Sequence, residues 1–239
     1  MALALSGCTN GIETGLSAPE GIPVTVFAEI SPVTKSGEAV SSDNSFDRTF
    51  FLSGDQIKVT RTKKASGTAA PQSASYRYDG TSAWTVVGTS PVTLEPAVTY
   101  SAQFPADYSA INQFQTTSAA YLASNLLKTG DATSSDGTLD FTSSGKPFTH
   151  VNSKLTLMFT VKRETSIAND AVTVAATGIR TAVSTNQTIT LYRPYPGDAS
   201  RKYEWCGILR AVGGSMGTSV TDLTVSLTCD GVTYKATLT

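Results

Sequence analysis

The chain has one histidine and little charge. Of its 239 residues, 15% are charged, and the formal net charge is −1. A Ser-His-Asp triad would have to use His150, and no nucleophile-elbow glycine pattern surrounds any serine. Zinc needs several His or Cys ligands, and the chain has only three cysteines besides this histidine. We therefore expect a protein that is not an enzyme and that carries no metal and no cofactor.

Two further classes are excluded by what the chain lacks. A net charge close to zero provides no field that would recruit nucleic acid or an anionic membrane. No apolar stretch approaches the roughly 20 residues that a membrane-spanning helix needs. We expect no nucleic-acid partner, and attachment to a membrane would need an anchor other than a membrane-spanning helix.

The first eight residues, MALALSGC, allow two interpretations. They begin a buried strand, or they are the far end of an export signal. The last four, ending at Cys8, fit the lipobox of bacterial lipoprotein precursors, whose cysteine receives a diacylglycerol group. A polar, glycine-containing stretch follows, as expected of a tether. We favour an exported lipoprotein with its lipid anchor at Cys8, and we assign residues 1–21 to residual signal and tether.

Threonine, serine, glycine and alanine are abundant, and apolar residues recur with a period of two in short runs. The first such run places five apolar residues on one face of a strand, namely Ile22, Val24, Val26, Ala28 and Ile30. Pro23 favours an edge position, since proline cannot donate to a ladder. Turns recur about every 8–12 residues, which is typical of β-sandwiches. The sequence predicts an all-β protein.

A polar Gly- and Ser-rich stretch at residues 128–147 predicts a junction between two domains. We expect an N-terminal β-sandwich over residues 22–147 and a C-terminal one over residues 148–239. Residues 118–127, SAAYLASNLL, are the one convincing helical segment, and they lie in the first of these domains.

The end of the chain predicts a hairpin, with a turn at Cys229-Asp230-Gly231. Its last strand places four residues on one face: Val232, Tyr234, Ala236 and Leu238. Cys229 and Cys206 could form a disulfide in an oxidising compartment, or they could be two separate buried thiols.

Two weaker patterns each have a plain alternative. Asp131, Asp136 and Asp140 share a loop that suggests calcium, but it lacks the ligand spacing of an EF-hand, so a solvated loop is favoured. The aromatic residues of a hairpin at residues 76–84 could stack on a sugar, although such residues more often pack across strands.

The order of these pieces resembles the fimbrillin family, the subunits of Bacteroidetes type V pili. The resemblance lies in the lipobox cysteine and in a series of short segments: IPVTVFAEI, FFLSGDQIKV, YRYDGTSAW, AVTYSAQFPADY, GKPFTHVNSKLTLMF and LTVSLTCDGVTYKATL. It implies two transthyretin-like β-sandwich domains in tandem, at the cell surface or outer membrane, with other pilus subunits or a surface receptor as partners. Family members usually continue with a further strand beyond the position of Thr239, so the resemblance implies a second domain that lacks a final strand.

The resemblance also implies a mechanism. In the family, an arginine-specific protease removes the first strand after export, and a strand of a neighbouring subunit fills the vacated groove. Arg48 is the candidate cleavage site here, because Lys35 fits such a protease poorly. The terminal strand is a candidate donor or acceptor edge. The competing hypothesis is a monomeric surface lipoprotein that binds glycans through the hairpin at residues 76–84.

Overall fold

The computed structural model describes residues 21–31, 48–62, 71–162, 166–177, 188–210 and 221–238. Within these ranges the chain forms fourteen strands and one helix. The strands of the first half are β1 Thr25–Ala28, β2 Gln56–Arg61, β3 Gln72–Tyr78, β4 Trp84–Val86, β5 Tyr100–Phe104, β6 Leu127–Lys128, β7 Thr138–Phe141 and β8 Thr149–His150. Those of the second half are β9 Ser153–Met158, β10 Val172–Thr177, β11 Thr188–Thr190, β12 Glu204–Leu209, β13 Thr221–Cys229 and β14 Val232–Leu238, and the helix is α1 Ser118–Ala123.

The first core is enclosed by two sheets. One has six strands in the order β4-β3-β2-β5-β6-β8, and the other is the parallel pair β1-β7. Ile57 and Val59 of β2 enter this core together with Val26 of β1 and Phe141 of β7. The buried alternate positions of β2 and β5 produce the period-two pattern in the sequence.

The second core lies between the four-stranded sheet β11-β10-β13-β14 and the antiparallel pair β12-β9. All six residues of β12 are buried, and Trp205 is the largest fully buried side chain there. The β13–β14 turn has φ of 50° at Asp230 and 75° at Gly231, as the predicted two-residue hairpin turn requires.

The predicted all-β class is confirmed, since nearly all regular structure in the described residues is strand. The segment YRYDGTSAW forms the turn and flanking residues of the β3–β4 hairpin, and AVTYSAQFPADY contains β5, which ends before Pro105. One residue of the first strand was assigned wrongly: Ile22 is 44% exposed. Ile22 lies before β1, next to the point at which Pro23 bridges to Thr93, and there the side chain that continues the alternation does not enter the core.

The packing of two segments does not follow the predicted division at residue 147. Tyr121 of α1 packs in the second core, together with Ile111. Phe148, just past the predicted junction, packs in the first core, and β8 completes the six-stranded sheet of that core. The chain therefore enters the second core before it finishes the first. The boundary itself stays a prediction.

The helix of the described chain spans six residues, and none in this part of the molecule is long and apolar enough to cross a membrane.

Candidate functional site

Strand β1 lies between two main-chain edges, and we call this position the β1 slot. On one side the residues just before β1 pair with residues 92–94: Val24 N donates to Val92 O at 3.0 Å, and Leu94 N donates to Ile22 O at 2.7 Å. On the other side β1 runs parallel to β7, with Thr25 N donating to Gly137 O at 2.8 Å. If residues 21–28 depart, residues 92–94 and β7 both lose main-chain partners.

The side chains of β1 alternate strictly between the core and solvent. Val24, Val26 and Ile30 are 6%, 1% and 5% exposed, and Ala28 is half-buried. Phe27, on the opposite face, is 44% exposed. Burial of a large aliphatic side chain contributes about 1.5–3 kcal/mol, so the slot holds β1 chiefly by these apolar contacts.

One wall of the β1 slot, residues 91–94, is held by side chains of β2 and β3. The Tyr76 hydroxyl accepts from Val92 N at 3.1 Å, and Gln72 Oε1 accepts from Thr93 N at 3.0 Å. Arg61 Nη1 donates to Thr93 O at 3.1 Å. Burial raises the pKa of Tyr76, although the Val92 N–H favours its ionised form. These contacts fix the wall through the six-stranded sheet and do not involve β1.

The other wall is β7 and the turn that follows it. Asp140 Oδ1 accepts from the hydroxyl of Thr142 at 2.6 Å and from its N–H at 2.9 Å, and Oδ2 accepts from the Ser144 hydroxyl at 3.0 Å. These donors hold the pKa of Asp140 below its usual range. Glu29, on β1's side of the slot, accepts from Ser143 N at 3.1 Å.

Arg48, the sequence-predicted cleavage site, is held against the body of the molecule. Its guanidinium contacts the Asp55 carboxylate through two nitrogens, at 3.1 and 3.3 Å, and lies 5.4 Å from the centre of the Phe104 ring. Its side chain is 12% exposed. Burial raises the pKa of Asp55, against the lowering effects of the Leu52 N–H and of Arg48. In the folded state this arginine is not presented to a protease.

The main chain at Arg48 is fixed as well. His150 Nε2 lies 3.2 Å from Arg48 O, and His150 Nδ1 lies 3.0 Å from Asn125 Oδ1. The carbonyl of Arg48 can only accept, so Nε2 is the donor in that contact. The contact between Nδ1 and Asn125 then has two forms: Nδ1 also carries a proton and donates to Oδ1, or the Asn125 amide is rotated so that its NH2 group donates to Nδ1. The histidine that the sequence left without a role therefore links Arg48 to the end of α1.

Strand β14, the predicted terminal strand, is the edge of its sheet and pairs with β13 among the described strands. Val232 and Tyr234 are 51% and 60% exposed, and Ala236 is exposed too. Its apolar face does not lie in the second core, and nothing is described for the Leu238 side chain.

The remaining sequence-predicted residues are dispersed. Cys8 and Lys35 lie outside the described residues. Cys206 is buried, Cys229 is half-buried, and both are thiols in the structure. Of the aromatic residues of the hairpin, Tyr76 and Trp84 are 2% and 8% exposed and pack within the first core, while Tyr78 is half-buried and stacks on Trp84 with ring centroids 5.0 Å apart, so the hairpin presents no open aromatic platform for a sugar. No group of three or more His, Cys, Asp or Glu side chains is positioned for a metal in the described part of the chain.

Sequence reasoning missed the residues that build the walls and the Arg48 contacts. Asp55 binds Arg48 across 7 positions of the chain, and Gln72 binds Thr93 across 21, so neither pair forms a local sequence pattern. The one available signal was the FLSGDQIKV segment, in which Asp55 directly precedes β2.

No family model and no curated protein matches the chain. Among solved structures, it is similar to a fimbrial protein from Bacteroides ovatus, at 14% identity and a TM-score of 0.45, over 93% of this chain and 46% of that one. It is also similar to a protein described as a candidate for cell adhesion from Bacteroides fragilis, at 15% identity and a TM-score of 0.49, over 91% and 87%. The chain thus spans about half the length of the first neighbour.

Proposed function

We propose that this protein is a structural subunit of a cell-surface fimbria that assembles by strand exchange. In this proposal the chain is exported as a lipoprotein anchored at Cys8 in the outer membrane. The chain is then cut between β1 and the body, and a strand of another subunit replaces β1. Adhesion to a surface receptor is the role of the assembled fibre.

The observation that carries the proposal is the β1 slot. It pairs with residues 21–24 along one edge and with β1 along the other, and it buries the side chains of Val24, Val26 and Ile30. The wall at residues 91–94 is held by contacts that do not include β1, through Tyr76, Gln72 and Arg61. Departure of β1 would expose apolar pockets and leave main-chain groups unpaired. A new strand would bury the pockets again and pair with those groups.

The segment that joins β1 to the rest of the molecule, from Arg48 onward, suits such a cut. Residues 32–47 join β1 to Arg48, and Arg48 is fixed by Asp55 and His150. A cut within residues 32–47 would free β1 and leave the new end of the body anchored at Arg48. A cut after Arg48 itself would first require the Asp55 contact to open.

The monomeric glycan-binding alternative receives no support from the hairpin on which it relied, because Tyr76 and Trp84 are buried and the half-buried Tyr78 stacks on Trp84. The alternative would need another surface for its ligand.

The test is a full-length chain that carries a specific protease site in place of residues 40–45. After cutting, we expect β1 to be displaced slowly and the protein to form oligomers or fibres, as followed by gel filtration and electron microscopy. The uncut protein should remain monomeric. A cut protein that keeps β1 and stays monomeric at high concentration would contradict the proposal.

A further inference from the structure

The six-stranded sheet of the first core has an outer face that carries positive charge only. Its register places five outward residues in one row across the sheet: Ser75, Lys58, Gln103, Lys128 and Thr149. Arg77 lies in the next row, beside Thr85. Lys58, Arg77 and Lys128 are all exposed. None of the six strands contains Asp or Glu, although the chain has 19 of them, so no carboxylate on these strands neutralises the three cations.

The three cationic side chains are available to a ligand. Within the described ranges, no residue forms an ion pair or a hydrogen bond with the side chain of Lys58, Arg77 or Lys128. The carboxylates at the ends of the strands are already engaged, since Asp55 binds Arg48 and Asp79 accepts from its own turn. The face therefore carries a local positive charge that the net charge of the chain, −1, does not reveal.

A cavity of about 560 Å³ lies beside Lys58. Its lining includes Gln56, Lys58 and Ser75 of the sheet, residues 105–107 after β5, and Leu122 and Ala123 of α1. This volume is within the range of sites that hold a small molecule, roughly 300–1,000 Å³. One cation, the exposed carboxylate of Asp107, neutral polar groups and aliphatic surface thus meet around a space large enough for one sugar ring.

From this arrangement we infer that the outer face and the cavity bind an acidic polysaccharide, a chain whose sugars carry carboxylate groups. The cavity holds one acidic sugar, whose carboxylate contacts Lys58 and whose hydroxyls donate to Asp107. Arg77 and Lys128 contact carboxylates of the sugars on either side. The inference gives the proposed adhesion a class of receptor, and in that respect it rests on the proposed function. It involves neither the β1 slot nor the buried aromatic face of the β3–β4 hairpin.

The composition of the face favours a polysaccharide over a protein partner. The outward residues of the six strands are only Ser, Thr, Gln, Lys and Arg, so these strands lack the large apolar anchors that occupy the centre of protein interfaces. Their hydroxyl and amide groups are instead suited to the hydroxyls of sugars.

The spacing of the cations favours a polymer with separated charges. Lys58 and Lys128 lie two strands apart, which places their Cα atoms about 10 Å from each other, and the neutral Gln103 lies between them. A polymer with closely spaced charges would place some of them against neutral side chains. A small inorganic anion would reach Lys58 alone and would be repelled by Asp107.

The experiment measures the binding of a fluorescent hexamer of galacturonic acid to the uncut full-length chain by anisotropy. We expect binding at low ionic strength that weakens as salt is added. The methyl-esterified hexamer, which has the same sugars without their charge, should not bind. Lys58→Gln should weaken binding about tenfold, because its ammonium loses a charged hydrogen bond in a partly enclosed site. Lys128→Gln, on the open face, should weaken it about threefold.

The matched control is Lys235→Gln, which removes an exposed lysine from β14 in the other half of the chain and should leave binding unchanged. An equal loss in this control would overturn the assignment to the six-stranded sheet. Equally tight binding of the methyl ester would overturn the role of the charges. Equally tight binding of a glutamate hexapeptide, with the same number of side-chain carboxylates, would overturn the preference for sugars.

The test does not depend on strand exchange, because the protein is neither cut nor assembled. Absence of binding by the uncut chain overturns the inference and leaves the removable first strand standing. If the cut chain fails to assemble while the uncut chain binds the hexamer, the proposed strand exchange fails and the polysaccharide site stands.

Discussion

The side-chain amide of Gln115 pairs with the main chain of Ile208 as a strand would. Ile208 N donates to Gln115 Oε1 at 2.8 Å, and Gln115 Nε2 donates to Ile208 O at 2.8 Å. The Gln115 main chain donates to Thr190 O at 2.9 Å, so this one residue joins the two sheets that enclose the second core. Because Gln115 is fully buried and precedes β6 to β8 in the chain, the second core is completed by a segment that comes before part of the first.

Gln115→Leu should destabilise the second core more than the first. The substitution leaves the N–H and C=O of Ile208 buried without partners, at about 1–3 kcal/mol for each. Trp84 lies in the first core and Trp205 in the second, so variants that retain one tryptophan report on each core by fluorescence in urea. We expect the Trp205 transition to shift to lower urea by more than the Trp84 transition does.

The matched control is Gln113→Ala, which keeps the main-chain carbonyl that accepts from Thr190 N at 2.8 Å. It should leave both transitions nearly unchanged. Equal shifts of the two tryptophan transitions in Gln115→Leu would show that the amide stabilises the molecule as a whole and not the second core in particular.

Arg48 should resist an arginine-specific protease in the folded protein. Asp55→Asn removes the charge that holds the guanidinium. A hydrogen bond to a charged group contributes about 1.5 kcal/mol, so its loss should make Arg48 accessible roughly ten times as often and speed cleavage after Arg48 by the same factor. Mass spectrometry of the products gives the site and its rate. The control is Asp79→Asn, since Asp79 accepts within its own turn and does not contact Arg48. Rapid cleavage of the native protein after Arg48 would contradict the protection that the geometry implies.

The same residue is tested in cells by Arg48→Ala. If maturation cuts the chain after Arg48, the variant should lose both N-terminal processing and fibre formation. Unchanged processing and unchanged fibres would remove Arg48 as the cleavage site and direct the search to residues 32–47.

The alternation of β1 predicts a contrast between neighbouring residues. Val26→Thr preserves the shape of the side chain but buries a hydroxyl, which costs roughly 1–3 kcal/mol. Phe27→Ser, on the 44% exposed face, should change the free energy of unfolding by no more than about 0.5 kcal/mol. Urea denaturation of both variants measures the difference. A larger loss in Phe27→Ser than in Val26→Thr would mean that the buried face of β1 has been assigned wrongly.

Much of the local structure could be predicted from the sequence, because its signals are local. The period of two along residues 24–30 identifies the face of β1 that is buried, and the Asp-Gly pairs at residues 79–80 and 230–231 identify hairpin turns by their need for unusual φ. The error at Ile22 arose because the alternation of apolar residues begins in the sequence before the point at which the chain reaches the core.

The partners of these elements could not be predicted, because pairing between distant segments leaves no pattern in either of them. Nothing in residues 24–30 indicates that β7 lies beside β1 in parallel, or that residues 92–94 form the opposite wall. The same holds for α1: its spacing predicts a helix with an apolar stripe, but it does not say which core receives Tyr121. The composition of residues 128–147 suggested a linker, whereas β7 within it supplies Leu139 and Phe141 to the first core.

The turn after β7 predicts a dependence of stability on acid. The Thr142 hydroxyl and N–H and the Ser144 hydroxyl hold the pKa of Asp140 below its usual range in the folded protein. A carboxyl with a depressed folded pKa stabilises the fold above its unfolded value of about 3.9, and this contribution is lost as the pH falls through the folded pKa. Asp140→Asn keeps an acceptor for Thr142 but cannot titrate, so its stability should fall less steeply than that of the native protein between about pH 5 and pH 2. Urea midpoints across this range measure the slope, with Asp131→Asn, outside this turn, as the control. If Asp140→Asn and the native protein lose stability in parallel, the carboxylate of Asp140 does not hold this wall of the β1 slot.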